Sequence, residues 1–242
     1  MIQFALETTG KQGSLAVLSG ENVLFERRLG VRLRTAAELA VELNSALQWC
    51  EAESYPIDVI AVAVGPGSFT GLRIAVTTAK TLAYALGLPV VAVGSLSAIA
   101  AVTVTDDTVA NVLVGLNAYR RQVFTAEFSV GELRHSDGIN GCNHRATIVS
   151  RSEWDGRAAW AKKQTDWTVA ADSTIFVPQQ RGHLAAPGES IAVGVGRVAA
   201  RLIAAAKWSP GDSASNPAFT DPFALATRYL RPSAAEEQAA SR

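Results

Sequence analysis

"IQFALETTGKQGSLAVLSGENVLFERR", residues 2–28, reads as strand, polar turn, strand, tight turn, strand. Residues 2–6 and 15–18 are short apolar or β-branched runs, parted by threonine, glycine and lysine, and "SGEN" at 19–22 supplies a hairpin turn. The plan returns in "NVLVGLNAYRRQVFTAEFSVGELRH", residues 111–135. There 111–116 and 123–128 are the strands, 117–122 is the polar turn, and "SVGEL" stands where "SGENVL" stood. Glu7 and Asn117 occupy equivalent turn positions. Downstream, "AVAVGPG" (61–67) predicts a strand that ends in glycines before a helix. "IAVGVGRVAARLIAAA" (191–206) is read the same way, with Gly194 and Gly196 answering Gly65 and Gly67. Two meanders, each followed by a strand–glycine–helix unit in the same order, imply tandem duplication of one α/β unit.

Duplicated α/β halves with an amino-terminal hairpin describe the architecture shared by actin, sugar kinases and Hsp70-type ATPases. The expected fold is therefore the duplicated RNase H-like, actin-like one: two similar subdomains, each a mixed sheet flanked by helices. Residues 1–105 are expected to form the first and 106–210 the second. Residues 211–232 are expected to pack back on the first, leaving 233–242 as a frayed tail. In that superfamily the hairpin turns face a cleft and hold phosphates, which makes a nucleotide hypothesis worth testing.

Composition narrows the function classes. The 242 residues carry 22 basic and 22 acidic side chains, a balance that argues against a protein living on nucleic acid through its own basic surface. Two cysteines, Cys50 and Cys142, cannot build a disulfide framework or a zinc cluster, so a reduced, cytoplasmic setting is expected. "MIQFALETTG" lacks the basic start and long apolar core of a signal peptide. The charge-free run at 81–105 is long enough to span a bilayer, but Gly87, Pro89 and Gly94 divide it into helix end, strand and turn. No membrane span is expected.

The candidate phosphate loop, "VGPGSFTGLR" (64–73), fits no phosphate-binding template. It lacks the Gly-Lys-Ser/Thr ending of a P-loop, and Gly65, Gly67 and Gly71 are spaced one residue too wide for a dinucleotide fingerprint. Pro66 removes an amide donor, and Ser68 or Thr70 caps the helix that follows. A tight strand-to-helix turn is the favoured reading, with anion binding at the helix start left open. In the hairpin turn, Glu7, Thr8, Thr9, Gly10 and Lys11 could hold magnesium and phosphate, whereas Asn117 stands where a second carboxylate would sit. Glu7, Thr8, Asn117, Gly194 and Gly196 are thus the cleft candidates, although no cofactor or metal is expected to be the chain's own. His135, His144 and His183 are scattered without metal-ligand spacing, and no G-x-S-x-G elbow occurs. Arg27, Arg28, Arg32 and Arg34 could touch RNA phosphates, but a solvated strand end is the favoured reading.

Two helices carry the sharper signal. From 71 to 86, Leu72, Ala75, Val76, Ala79, Leu82, Ala83 and Leu86 share one face, closed by Gly87 and Pro89. The opposite face holds Ile74, Thr77, Thr78, Thr81, Tyr84 and Ala85, with only Arg73 and Lys80 charged. From 35 to 50, Ala36, Leu39, Ala40, Leu43, Ala46, Leu47 and Cys50 are expected inward. Ala37, Val41, Asn44, Ser45, Gln48 and Trp49 are expected outward. Faces of small, weakly polar residues allow a second helix to approach closely, and we read them as a protein–protein interface in preference to cover by the chain's own tail.

At these residues the sequence resembles the bacterial TsaB (YeaZ) family. "VGPGSFTGLRIAVTTAKTLA" carries the resemblance, which continues through "LGLPVVAVGSLSAIA", "LNAYRRQVFTAEF", "GVG" and "RYLRPSAAE". It covers most of the chain, most loosely over 138–190. The family was once classed with M22-type glycoproteases. The resemblance implies a non-catalytic subunit for threonylcarbamoyladenosine formation on tRNA. A paralogous TsaD-type subunit would carry ATP, metal and transfer chemistry, and a TsaE-type ATPase would join. Dimerisation with the paralogue or with itself is implied through the two helices above, and tRNA would be met through the complex. Members usually carry aspartate at the positions of Glu7 and Asn117, and often histidine–serine at Arg34 and Thr35. The alternative to this reading is an actin-like phosphotransferase using Glu7, Thr8 and the glycine turns.

Overall fold

The computed structural model describes residues 1–10, 12–30, 35–104, 108–134, 145–171, 189–212 and 215–230, with the side chains of residues 35 and 36 outside that description. Lys11, Arg32, Arg34, His135, Cys142, His144, His183 and the tail 233–242 lie outside the described residues, as do the side chains of Thr35 and Ala36.

The hairpin reading of the first segment holds. Strands β1 (Ile2–Glu7), β2 (Ser14–Ser19) and β3 (Asn22–Arg28) form an antiparallel meander, and β4 (Val59–Gly65) adds to β1 in parallel. Strand β5 (Val90–Gly94) pairs in parallel with β4, giving the order β3-β2-β1-β4-β5. The second segment repeats it. Strands β6 (Asn111–Asn117), β7 (Gln122–Ser129) and β8 (Thr147–Ser150) pair antiparallel, β9 (Trp167–Ala171) joins β6 in parallel, and the order is β8-β7-β6-β9. Two mixed sheets with the same pairing scheme constitute the duplicated α/β fold.

The central strands are buried and mostly apolar because both faces of the first sheet are covered, with Gln3, Glu7 and Ser14 as buried polar exceptions. Phe4, Leu6, Leu15, Val17, Ile60 and Val62 face helices α1 (Thr35–Ala52) and α2 (Phe69–Leu86). Their neighbours Ala5, Ala16, Ala61 and Ala63 face α3 (Ser95–Thr103) and α6 (Ile191–Ala205). Side chains alternate across a strand, so the α1/α2 face carries large residues while the α6 face has alanines at its centre among Leu18, Val59, Val91 and Val93. Helix α3 lies between the two sheets. Ala98, Ala101 and Val102 meet the first core, while Leu96, Ile99 and Ala100 meet the second with Val112, Leu116 and Phe128. Helices α4 (Val130–Arg134) and α5 (Arg151–Ala161) complete the second half, and Trp154 of α5 covers Leu113 and Val123 on its outer face.

Two local readings are corrected. Residues 191–205 are helical from the first residue, with no strand before Gly194. Its opening six residues, 191–196, are all apolar or glycine, and a short run without polar residues carries no period that separates helix from strand; Arg197 and Arg201 mark the polar side only afterwards. The "SVGEL" stretch is α4, opened by a reciprocal cap: Glu132 N–H donates to Ser129 Oγ at 3.2 Å, and Ser129 N–H to Glu132 Oε2 at 3.4 Å. The third strand of the second half therefore falls later, at β8.

Candidate functional site

Gly67 and Gly71 are in contact with the β1–β2 turn, whereas Gly65 faces the Arg228 carbonyl oxygen, 2.5 Å from its Cβ position. A Cβ at Gly71 would lie 1.8 Å from the Thr8 carbonyl oxygen, and one at Gly67 would lie 2.5 Å from Thr9 Cβ. Ser68 N–H donates to the Thr9 carbonyl at 2.8 Å, and Thr8 Oγ1 donates to the Gly71 carbonyl at 2.6 Å. Ser68 caps α2, its hydroxyl accepting from Gly71 N–H at 3.3 Å, and Gly87 closes the helix in the left-handed conformation. The loop is thus a strand-to-helix turn pressed onto its neighbour.

Glu7 is wholly buried at the end of β1. Its Oε1 accepts from Thr9 N–H, Thr9 Oγ1 and Gly10 N–H (3.0 Å for the last), and Ser14 Oγ approaches Oε2 at 3.5 Å. Burial pushes the carboxyl above its ordinary value, and the four donors offset part of that shift. Ser14 Oγ also accepts from Ala192 N–H at 3.1 Å, which ties the start of α6 to this turn. Thr8 is buried and spends its hydroxyl on Gly71. Asn117 serves the corresponding turn of the second half, its Oδ1 accepting from Tyr119 N–H at 2.8 Å. Gly194 and Gly196 sit inside α6. A Cβ there would lie 2.0 Å from the Ala98 carbonyl oxygen and 2.4 Å from Leu18 Cδ1 respectively. These candidates therefore divide between two turns and a helix contact.

The outer helix faces are arranged differently. On α1, Ala37, Val41 and Asn44 are exposed, Val41 to 66%. Trp49 departs from its expected place: it is half-buried between Phe25 (5.2 Å) and Tyr55 (5.6 Å), because β3 and the chain after α1 fold over it. Ala40, expected inward, is exposed. On α2, Thr77, Thr81, Tyr84 and Ala85 are exposed, while Ile74 and Thr78 are half-buried. Thr81 Oγ1 donates to the Thr77 carbonyl at 3.0 Å, an internal bond that lowers the polarity of this face.

The chain's own carboxy-terminal segment borders that face, which sequence reasoning had ranked below a partner. Thr220 N–H donates to the Val90 carbonyl at 2.8 Å and Arg228 N–H to the Val64 carbonyl at 2.7 Å, with Leu225 buried between them. Tyr229 stacks on Phe69 with centroids 4.8 Å apart and accepts a 3.2 Å hydrogen bond from Arg73 Nε. The Arg73 guanidinium lies 3.9 Å over the Phe69 ring. Phe223, 79% exposed, meets Tyr84, 77% exposed, edge to face. Phe223 and Tyr229 were missed as candidates, and only aromatic residues in "DPFALATRYL" hinted at them.

Residues 34–164, more than half of the chain, match the family model described as TsaD: tRNA N6-adenosine threonylcarbamoyltransferase. The segment most similar to the Bacillus subtilis tRNA threonylcarbamoyladenosine biosynthesis protein TsaB is 36% identical over 101 residues, 42% of this chain and 44% of that one. The chain belongs to the TsaB/YeaZ family. An uncharacterized Mycobacterium tuberculosis protein is 36% identical over 115 residues, 48% of this chain and 50% of that one. The chain spans about half the length of the curated relatives it matches. A Pseudomonas aeruginosa crystal structure, described as an uncharacterized protein with similarity to peptidase YEAZ, shares the fold. It aligns with a TM-score of 0.63 and 21% identity over 95% of this chain and 99% of that one. Among the described residues of this family member, no helix is long and apolar enough to cross a membrane.

Proposed function

We propose that the chain is a non-catalytic subunit of a cytoplasmic assembly that transfers threonylcarbamoyl to the adenosine next to the anticodon of ANN-decoding tRNAs. Its role is to hold a TsaD-type catalytic paralogue, which brings ATP and metal, with a TsaE-type ATPase joining and tRNA bound by the complex. Alone, the chain pairs with itself through the same surface. The observation that carries this reading is the exposed, weakly polar face of α1 and α2, which the Tyr84–Phe223 pair extends. Exposed apolar side chains such as Val41, Tyr84 and Phe223, grouped with small weakly polar ones, are the kind of surface that marks interaction sites. The names of the TsaB relatives and of the matching family model supply the pathway. The closed packing of Glu7 supports a structural role for the β1–β2 turn over phosphoryl transfer.

The test is capture of the tagged chain from its own cells, with co-eluting proteins identified by mass spectrometry and modified adenosine measured after depletion. Recovery of a TsaD-type paralogue and loss of the modification are expected. Recovery of the chain alone, with stoichiometric ATP binding lost in Glu7→Ala, would overturn the reading in favour of a phosphotransferase.

A further inference from the structure

The turn between β6 and β7 combines strain with exposed cationic and aromatic side chains. Ala118 N–H donates to the Gln122 carbonyl at 3.1 Å, and Gln122 N–H to the Tyr119 carbonyl at 2.9 Å. Between them Tyr119, Arg120 and Arg121 all lie in the left-handed region, with φ of 58°, 47° and 60°. Two central residues with positive φ define a hairpin turn that Asn-Gly ordinarily fills, because side chains beyond Cβ are disfavoured there. Here the turn carries Tyr-Arg-Arg, and all three are exposed, Tyr119 to 57%. Among the described residues, the other positive-φ positions with side chains, Ser54 and Lys207, are single positions just beyond α1 and α6. A strained choice at an exposed turn is explained by what the side chains do.

The neighbouring charges of α5 balance one another, so the cationic character belongs to the turn itself. The Arg121 carbonyl accepts a 2.8 Å hydrogen bond from Arg151 N–H, which sets a third arginine beside the turn. Arg151 Nε pairs with Asp155 at 2.9 Å, and Glu153 is engaged by Arg157 at 2.8 Å, so both nearby carboxylates of α5 are matched. Among the described residues, the Arg121 guanidinium holds no ion pair.

We propose that Tyr119, Arg120 and Arg121 form a contact site for the phosphodiester backbone of RNA, with an unpaired base on the Tyr119 ring. Guanidinium groups fork onto phosphate oxygens, and an exposed aromatic face stacks unpaired bases irrespective of sequence. A projecting turn offers these groups in a row, so a chain ligand can engage several at once where a single free anion meets one. The inference rests on the proposed function, in which the assembly acts on tRNA, and makes that contact direct for this subunit.

The test is fluorescence anisotropy of a labelled RNA hairpin with an unpaired loop, titrated with the full chain at low salt. Arg120→Asn combined with Arg121→Gly removes both guanidiniums while supplying the residues the turn favours, so the fold survives. RNA affinity should fall about tenfold, and the slope of log K against log salt should become shallower by about 1.4, the loss of two phosphate contacts to a single strand. Tyr119→Ala should weaken binding to the looped hairpin more than to a blunt duplex. Three outcomes overturn the proposal: no binding by the wild-type chain, unchanged affinity in the double variant, or displacement by inorganic phosphate as effective as by unlabelled RNA. Capture of the catalytic partner by the same double variant separates the two readings. Retained capture with lost RNA binding supports the contact, whereas capture failing for wild type and variant alike strikes the proposed function alone.

Discussion

Thr8 Oγ1 donates a 2.6 Å hydrogen bond to the carbonyl of Gly71, joining the first hairpin turn to the first turn of α2 across 63 residues of sequence. The Thr8 carbonyl occupies the space a side chain at 71 would need. Gly71→Ala should therefore lower stability by about 3 kcal/mol, the upper range for overpacking, as a lower urea midpoint with unchanged slope. Gly156→Ala is the control. Nothing lies within 4 Å of its Cβ position in α5, so the helix should gain about 1 kcal/mol. Equal midpoints for the two variants would show that the loop is not held against the turn.

Glu7 gives the fold a pH signature. Its carboxyl is pushed above the ordinary value of 4.5 by burial, so the folded state favours the protonated form. The stability this group contributes is fully present below the unfolded value and is lost as pH rises through the folded one. Glu7→Gln keeps an oxygen acceptor for Thr9 and Gly10 without a charge to bury. The variant should match the wild type below the ordinary carboxyl value of 4.5 and gain on it as pH rises above that value. Thermal melts across that window that stay parallel would contradict the assignment.

The outer helix face should separate folding from association. Thr81→Arg and Tyr84→Glu alter exposed positions, so helix content and melting temperature should be retained. Burying an uncompensated charge in the interface should weaken association by about 2–5 kcal/mol. Sedimentation of the chain alone and titration with the proposed TsaD-type paralogue measure the two cases. Wild-type affinity in both would remove this face as the interface.

The carboxy-terminal segment offers a second separation. Leu225 is buried against the first core, and Leu225→Ala should cost about 3 kcal/mol of stability. Phe223 is largely exposed and touches Tyr84, so Phe223→Ala should leave the melting temperature within a degree or two of wild type, as surface substitutions do, while weakening partner binding. A Phe223→Ala chain that binds normally would confine the segment to a packing role.

Much of this was legible locally. The two hairpins are legible because strand alternation and turn residues are short-range signals, and α2 is legible from its period and its Gly87 close, while the structure chooses Ser68 over Thr70 as the cap and starts the helix at Phe69. The reciprocal Ser129–Glu132 cap was also present in the sequence as S-x-x-E, but the analogy with the first hairpin masked it. Helix α6 opens on six apolar or glycine residues, 191–196, with no polar side chain to set a phase; Arg197 and Arg201, four apart, mark its polar side only further on, and its glycines mark helix contacts that sequence spacing does not reveal. Trp49 was placed outward because its covering partners, Phe25 and Tyr55, come from elements outside its own helix.

The sequence by itself determined the duplicated plan, the extents of α1 and α2 and the weakly polar character of their outer faces, since periodicity, caps and turn chemistry act within a few residues. Only the tertiary structure decided how those pieces are used. It buried Glu7 within its own turn, pressed Gly67 and Gly71 against Thr8 and Thr9, set α6 on the alanine face of the first sheet, and laid Phe223 and Tyr229 beside α2. Each of those outcomes depends on which distant surface arrives at a residue, and close packing between elements far apart in the chain carries no local period from which it could be read.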